Sequence, residues 1–188
     1  MDKLTILKKI AKTLNKLNIT WGLSSSLVLK NYNLADDFND IDIMVSKDDL
    51  SKLDIALSKL GKVLSKSDNE IEGIYHTKHF YRYNIDGTSV EVMADLDIEN
   101  DRGIYKPDFD SNTIENFMLI DDIKLPLVAL EQWFIFYYLI PQKRYKSKLI
   151  KDYFKKNKSQ RKDLLKKALT KEIPDNLKEE INDIIKNY

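Results

Sequence analysis

Residues 79–94, HFYRYNIDGTSVEVMA, alternate apolar and polar side chains on both sides of an Asp86-Gly87 pair. Side chains two apart on a strand share a face, and Asp-Gly takes the positive backbone angles of a two-residue hairpin turn. The stretch therefore commits the chain to an antiparallel pair of strands. A lone hairpin is marginal in water and needs more strands or a helix to cover it. Candidates are ITWGL at 19–23, DIDIMV at 40–45 and a strand pair around FMLIDDIKLP at 117–126. Helices are predicted between them: residues 2–17, where Leu4, Ile6, Leu7, Ile10, Leu14 and Leu17 follow helical spacing, then SSSLVLKNY at 24–32, then a helix capped by Asp48 that runs to Leu60 and stops at Gly61. From Leu127 onward the strand period is gone. Helices over 128–140, 144–157, 159–170 and 175–187 fit, punctuated by Pro126, Pro141 and Pro174. The prediction is an α+β protein: a core at 1–125 built on a small mixed sheet with flanking helices, and a C-terminal helical region at 126–188.

Composition excludes several kinds of chemistry. The 188 residues contain no Cys and only two His, His76 and His79, so disulfides, thiolate zinc sites, cysteine nucleophiles and histidine-rich metal sites are all removed. The absence of Cys fits a reducing, cytoplasmic setting. The first 19 residues carry charge throughout and lack the apolar run of a signal peptide. The most apolar run, WFIFYYLI at 133–140, is far shorter than the roughly 20 residues of a membrane span. With 43% hydrophobic residues the chain can bury a core of its own. The net charge of +1 hides an asymmetry: residues 143–171 hold thirteen Lys or Arg against two Asp. With Tyr145, Tyr153 and Phe154 interleaved, that stretch reads either as an RNA-docking surface or as a solvated helix face.

The strand DIDIMV poses the sharper question, because two like charges should not be stable in an apolar strand. Asp40 and Asp42 project to one face while Ile41, Ile43 and Val45 go to the other. Two carboxylates roughly 6–7 Å apart at the backbone can lean onto one divalent cation or an adjacent pair. The plain alternative is a turn-capping Asp40 and a solvent-facing Asp42. Upstream, Ser24 and Ser25 stand where a strand gives way to a helix, so their backbone N–H groups and hydroxyls can face an anion such as a triphosphate. Downstream, VEVMADLDI offers Glu91, Asp95 and Asp97 as a third carboxylate. Glu91 and Asp95 would share a face but lie roughly 13 Å apart, too far to serve one cluster.

The combination WGLSSSLVL, then NDIDIM, then SVEVM resembles the nucleotidyltransferase superfamily of the DNA polymerase beta type, in particular the small bacterial members that include antibiotic and toxin–antitoxin nucleotidyltransferases. LPLVALEQWFIFYYLIPQKRYKSKLI at 125–150 is similar to the helix pair that follows the core in those members. The turn departs from the pattern: Leu23 follows Gly22, and Ser24-Ser25 replaces the usual Gly-Ser. The resemblance implies transfer of a nucleoside monophosphate from an NTP to an acceptor hydroxyl, with two Mg²⁺ held by Asp40 and Asp42. It places the third carboxylate at Glu91, as ligand or general base; the alternative for Glu91 is a cross-hairpin pair with Arg82 or Lys78. Ser24, Ser25 and Lys146, or Lys148 in its place, would meet the triphosphate. The acceptor would be a small hydroxylated molecule, or else a tRNA or protein. A non-catalytic nucleotide-fold binding module or antitoxin is the remaining reading, favoured by the altered turn. His79 and the aromatic row Trp133, Phe134, Phe136, Tyr137 and Tyr138 read first as structural.

Overall fold

A computed structural model describes residues 2–188. The strands are β1 (Trp21–Leu23), β2 (Ile41–Val45), β3 (Lys62–Glu72), β4 (Tyr75–Ile85), β5 (Thr88–Asn100), β6 (Gly103–Tyr105), β7 (Ile114–Ile120) and β8 (Ile123–Val128). They form one sheet in the order β3-β4-β5-β2-β1-β8-β7, with β6 paired to β5. The β1–β8 and β2–β5 pairs are parallel and the rest antiparallel, so the sheet is mixed. The helices are α1 (Lys3–Leu14), α2 (Ser26–Asn31), α3 (Leu50–Ser58), α4 (Leu130–Leu139), α5 (Arg144–Asn157), α6 (Lys162–Ala168) and α7 (Asp175–Asn187).

The alternation in β2 divides the core. Ile41, Ile43 and Val45 pack with Ile6, Leu7, Ile10 and Leu14 of α1 and Leu53 and Leu57 of α3. Met44, on the same side as Asp42, packs in the other layer with α4 to α7 through residues such as Phe134, Phe136, Ile150, Leu165 and Ile181. Asp2 caps α1 by accepting from Thr5 N at 2.9 Å. The hairpin predicted at Asp86-Gly87 forms there, in register Ile85↔Thr88, and both arms run well beyond the alternating stretch.

Several elements differ from expectation. β3 and β6 are additional strands. β3 lies at the sheet edge with polar or charged residues on both faces, so it has no apolar stripe to reveal it and is protected from edge pairing by its charges. Pro126 lies inside β8, opposite Phe117, instead of opening a helix; β1 pairs with β8 only at Leu127, which leaves room there for a residue without an N–H. The helix after β2 is preceded by a 3-10 turn at Lys47–Asp49. Asp49, not Asp48, makes the tie, accepting from Thr20 N at 2.9 Å and Ser46 Oγ at 2.8 Å. Gly61 follows the short α3 because a Cβ there would stand 2.3 Å from Asn84 O.

Candidate active site

Parallel pairing of β2 with β5 sets Asp42 directly opposite Glu91, and Asp40 precedes β2 on the same side. Carboxylate oxygens of Asp40, Asp42 and Glu91 come within 4.8 Å of one another. Asp42 is 8% exposed, and burial first, then the charges of Asp40 and Glu91, push its carboxyl up to about 7. Glu91 is also raised, by burial and Asp40, against the pull of Arg82. Three carboxylates gathered in a half-buried place are poorly compensated by protein alone. Oxygen-rich acidic sets of this kind suit hard divalent cations, whose charge reverses the penalty. The residues present therefore fit a divalent metal.

The turn before α2 comes up against the cluster. Ser25 holds φ 55 and ψ −125, a conformation favoured by glycine, with its hydroxyl beside Asp42 and 3.3 Å from the Tyr137 hydroxyl. Its neighbour behaves differently. Ser24 is fully buried, its N–H is spent on Asp42 O at 2.9 Å, and its hydroxyl has no partner among the described residues; it does not line the cavity, whereas Ser26 does. α2 spans six residues, so the hydroxyl and the lysines, more than a helix terminus, are the available anion contacts.

A cavity of about 510 Å³ opens over the carboxylates. Lys143 and Lys146 enter it from the start of the α5 region, and Lys146 stands 5.1 Å from the Tyr137 ring centroid. Burial and Lys143 lower the Lys146 ammonium pKa, while Asp42 and Asp40 hold it up. The strand side supplies Glu70, Glu72, Tyr75, Phe80 and Arg82, the loop before β2 supplies Asp37, and α4 supplies Trp133. Lys143, Glu70 and Glu72 were not singled out in the sequence: the lysine hides in a lysine-rich run, and the glutamates lie on the unpredicted β3.

The other candidates fall outside. Asp95 has φ 53 and pairs with Lys78 at 3.5 Å, and Asp97 is buried near His76 and Lys106; neither joins the cluster. Arg82 does lie opposite Glu91, with Nε 3.8 Å from Oε1, so Glu91 keeps its cross-hairpin neighbour while belonging to the cluster. His79 Nδ1 is 2.6 Å from Asp68 Oδ1, a tie within the β3–β4 pair. The aromatic row of α4 is mostly core, with Trp133 at the cavity. Four of the thirteen basic residues of the 143–171 stretch pair with carboxylates: Lys151 with Glu180 and Asp183, Lys155 with Asp152, Arg161 with Asp163 and Lys171 with Asp108.

The model of the aminoglycoside-2''-adenylyltransferase family matches residues 6–154. The chain belongs to this family. It is thus a nucleotidyltransferase, and the match takes in both the carboxylate cluster and the two cavity lysines. Among curated proteins none matches the chain significantly. Solved structures share the fold. A candidate nucleotidyltransferase from Thermotoga maritima is 22% identical, with TM-score 0.62 over 82% of this chain and 93% of that one. ANT(2'')-Ia in complex with adenylyl-2''-tobramycin is 12% identical, with TM-score 0.55 over 81% and 89%. The lincosamide antibiotic adenylyltransferase LnuA, with lincomycin bound, is 14% identical, with TM-score 0.50 over 80% and 96%. Among the described residues no helix is long and apolar enough to cross a membrane.

Proposed function

We propose that this nucleotidyltransferase moves an adenylyl group from Mg·ATP to a hydroxyl of a small cationic acceptor. The observation that carries the reading is the division of charge within one cavity: Lys143 and Lys146 from the helical side, Asp37 and Glu72 from the loop and β3, and the Asp40/Asp42/Glu91 set between strands β2 and β5. The lysines suit a triphosphate. The carboxylates outside the cluster suit ammonium groups, and the rings of Tyr75, Phe80 and Trp133 give a sugar-like body something to lie against. The family, and the adenylyl-2''-tobramycin and lincomycin bound by its structural relatives, support the same reading.

Asp40 and Asp42, completed by Glu91, would hold two divalent cations. When bound, such ions neutralise charge on the transferring phosphoryl group and lower the pKa of the attacking hydroxyl. The chain's own residues do the rest. Ser25, Lys143 and Lys146 bind and orient the triphosphate, and the acidic wall holds the acceptor with its hydroxyl toward the α-phosphorus. The acceptor oxygen bonds to that phosphorus as the bond to the pyrophosphate oxygen breaks, and the acceptor proton passes to a Glu91 oxygen. Positioning and charge stabilisation account for the rate, with no covalent enzyme intermediate.

A complete carboxylate set favours catalysis over a binding-only role, and the acidic side chains Asp37 and Glu72 at the same cavity suit a cationic acceptor better than a polyanionic one. The test is incubation with ATP and Mg²⁺ against aminoglycosides, lincosamides, tRNA and cell protein, read by mass spectrometry and pyrophosphate release. Adenylylated small molecule is expected. Label found only on tRNA or protein, or no transfer to any acceptor, would contradict the proposal.

A further inference from the structure

Strand register lays Ser65, Arg82, Glu91 and Asp42 in one transverse row across β3, β4, β5 and β2. Arg82 is the only cation in that row, and its fork is occupied. Nη2 donates to Glu70 Oε1 at 2.7 Å and Nη1 lies 3.5 Å from Glu70 Oε2 and 3.4 Å from Ser65 Oγ. The guanidinium stacks 4.0 Å from the Phe80 ring centroid. Only the Nε edge turns to Glu91, at 3.8 Å, beyond hydrogen-bond reach.

The geometry points to a positioning role: Glu70 holds Arg82 back, so that Glu91 remains free to serve the metal cluster. A guanidinium released from Glu70 has Glu91 as its nearest carboxylate, and a bidentate Arg–carboxylate pair is strong enough to compete with a cation for the same oxygens. With Glu70 in place, Arg82 instead acts as a fixed charge that tempers repulsion among the carboxylates without taking their lone pairs. Glu70 thus acts on the metal site through Arg82, from a strand that contributes no ligand. This rests on the reading of Asp40, Asp42 and Glu91 as cation ligands.

A double-mutant cycle tests it, by calorimetric titration of Mn²⁺ in the presence of a non-hydrolysable ATP analogue and without acceptor. The proteins are wild type, Glu70→Gln, Arg82→Gln and the double variant, with Asp42→Asn marking the site and melting curves checking the fold. Glu70→Gln is expected to weaken Mn²⁺ binding about tenfold, roughly 1.4 kcal/mol. In the Arg82→Gln background the same change is expected to leave binding within about twofold, because the released competitor is gone. If Arg82→Gln does not fold, Arg82→Lys replaces it, with the Glu70→Gln effect expected to shrink below about threefold since an ammonium lacks the fork. An equal effect of Glu70→Gln in both backgrounds would show direct electrostatics and overturn the inference, as would no effect in either. Equal Mn²⁺ binding by wild type and Asp42→Asn would instead overturn the metal-site reading itself, and this inference with it.

Discussion

The fold brings together two groups of carboxylates and treats them in opposite ways. Asp40, Asp42 and Glu91 face a cavity with few donors from the protein. Glu115 and Glu131 are closed in. Glu131 is fully buried, and its Oε1 accepts from Ser159 Oγ at 2.6 Å and from the backbone N–H of Gln160 and Arg161 at 2.9 and 3.0 Å, tying α4 to the turn before α6. Among the described residues no N–H or hydroxyl reaches its Oε2, but Glu115 lies beside it, its own pKa raised by burial and by Glu131. Glu115, when it carries its proton, would supply the missing donor. One cluster is resolved internally and the other is left for something from outside. Like charges brought together in a fold mark a site only when the protein does not satisfy them itself.

The largest effect that sharpens this contrast is Asp42→Asn. It is expected to abolish detectable transfer, a loss of at least about three orders of magnitude, consistent with removing a ligand of a metal-assisted displacement, while the protein stays folded by circular dichroism. Activity surviving in that variant would place the chemistry elsewhere. Glu91→Gln comes next: a fall in kcat of about two orders of magnitude is expected, within the range for a lost general base. Asp95→Asn, on the same strand but paired with Lys78, is expected to be mild; steady-state kinetics on the two variants would break the assignment if their ranking reversed. Lys146→Met should act on the nucleotide, raising KM for ATP about tenfold, roughly 1.4 kcal/mol, with kcat for the acceptor step less affected. An unchanged KM would remove Lys146 from the triphosphate.

The smallest effect belongs to the closed pair. Because the native pKa of Glu115 is raised above its ordinary 4.5, by burial first and then by Glu131, the stability linked to its proton is fully present below that value and is lost as pH rises through the native pKa. Glu115→Gln keeps a donor at every pH. It should leave stability little changed in acid and raise it by about 1 kcal/mol in mild alkali, seen as a melting-temperature difference from wild type that grows with pH. A difference that shrinks with pH would refute a raised Glu115 carboxyl.

Legibility followed the same divide. The Asp-Gly turn and the DIDIMV strand could be read because their patterns are local: alternation, a turn pair, and two acids where apolar residues belong. Glu131 carried a comparable signal, an acid inside the apolar ALEQWFIFYYLI, yet its partners are 28 to 30 residues away in the turn before α6. β3 was invisible because an edge strand that buries little needs no apolar stripe, and Glu70 and Glu72 went unseen with it. Ser24 and Ser25 could not be told apart in sequence, since only the backbone turn decides which hydroxyl enters the core and which meets Asp42. Spacing alone left Glu91 and Asp95 both open and the resemblance chose Glu91; strand register pairs Glu91 with Asp42.

The central claim, that Asp40, Asp42 and Glu91 form a cation site serving a nucleotide, is tested most directly by calorimetric titration of ATP in the presence and absence of Mg²⁺, into wild type and into folded Asp42→Asn. Wild type is expected to bind ATP at least about tenfold more tightly with Mg²⁺ than without it, a gain of roughly 1.4 kcal/mol, and Asp42→Asn is expected to lose that gain. The same Mg²⁺-dependent affinity in both proteins would contradict the account.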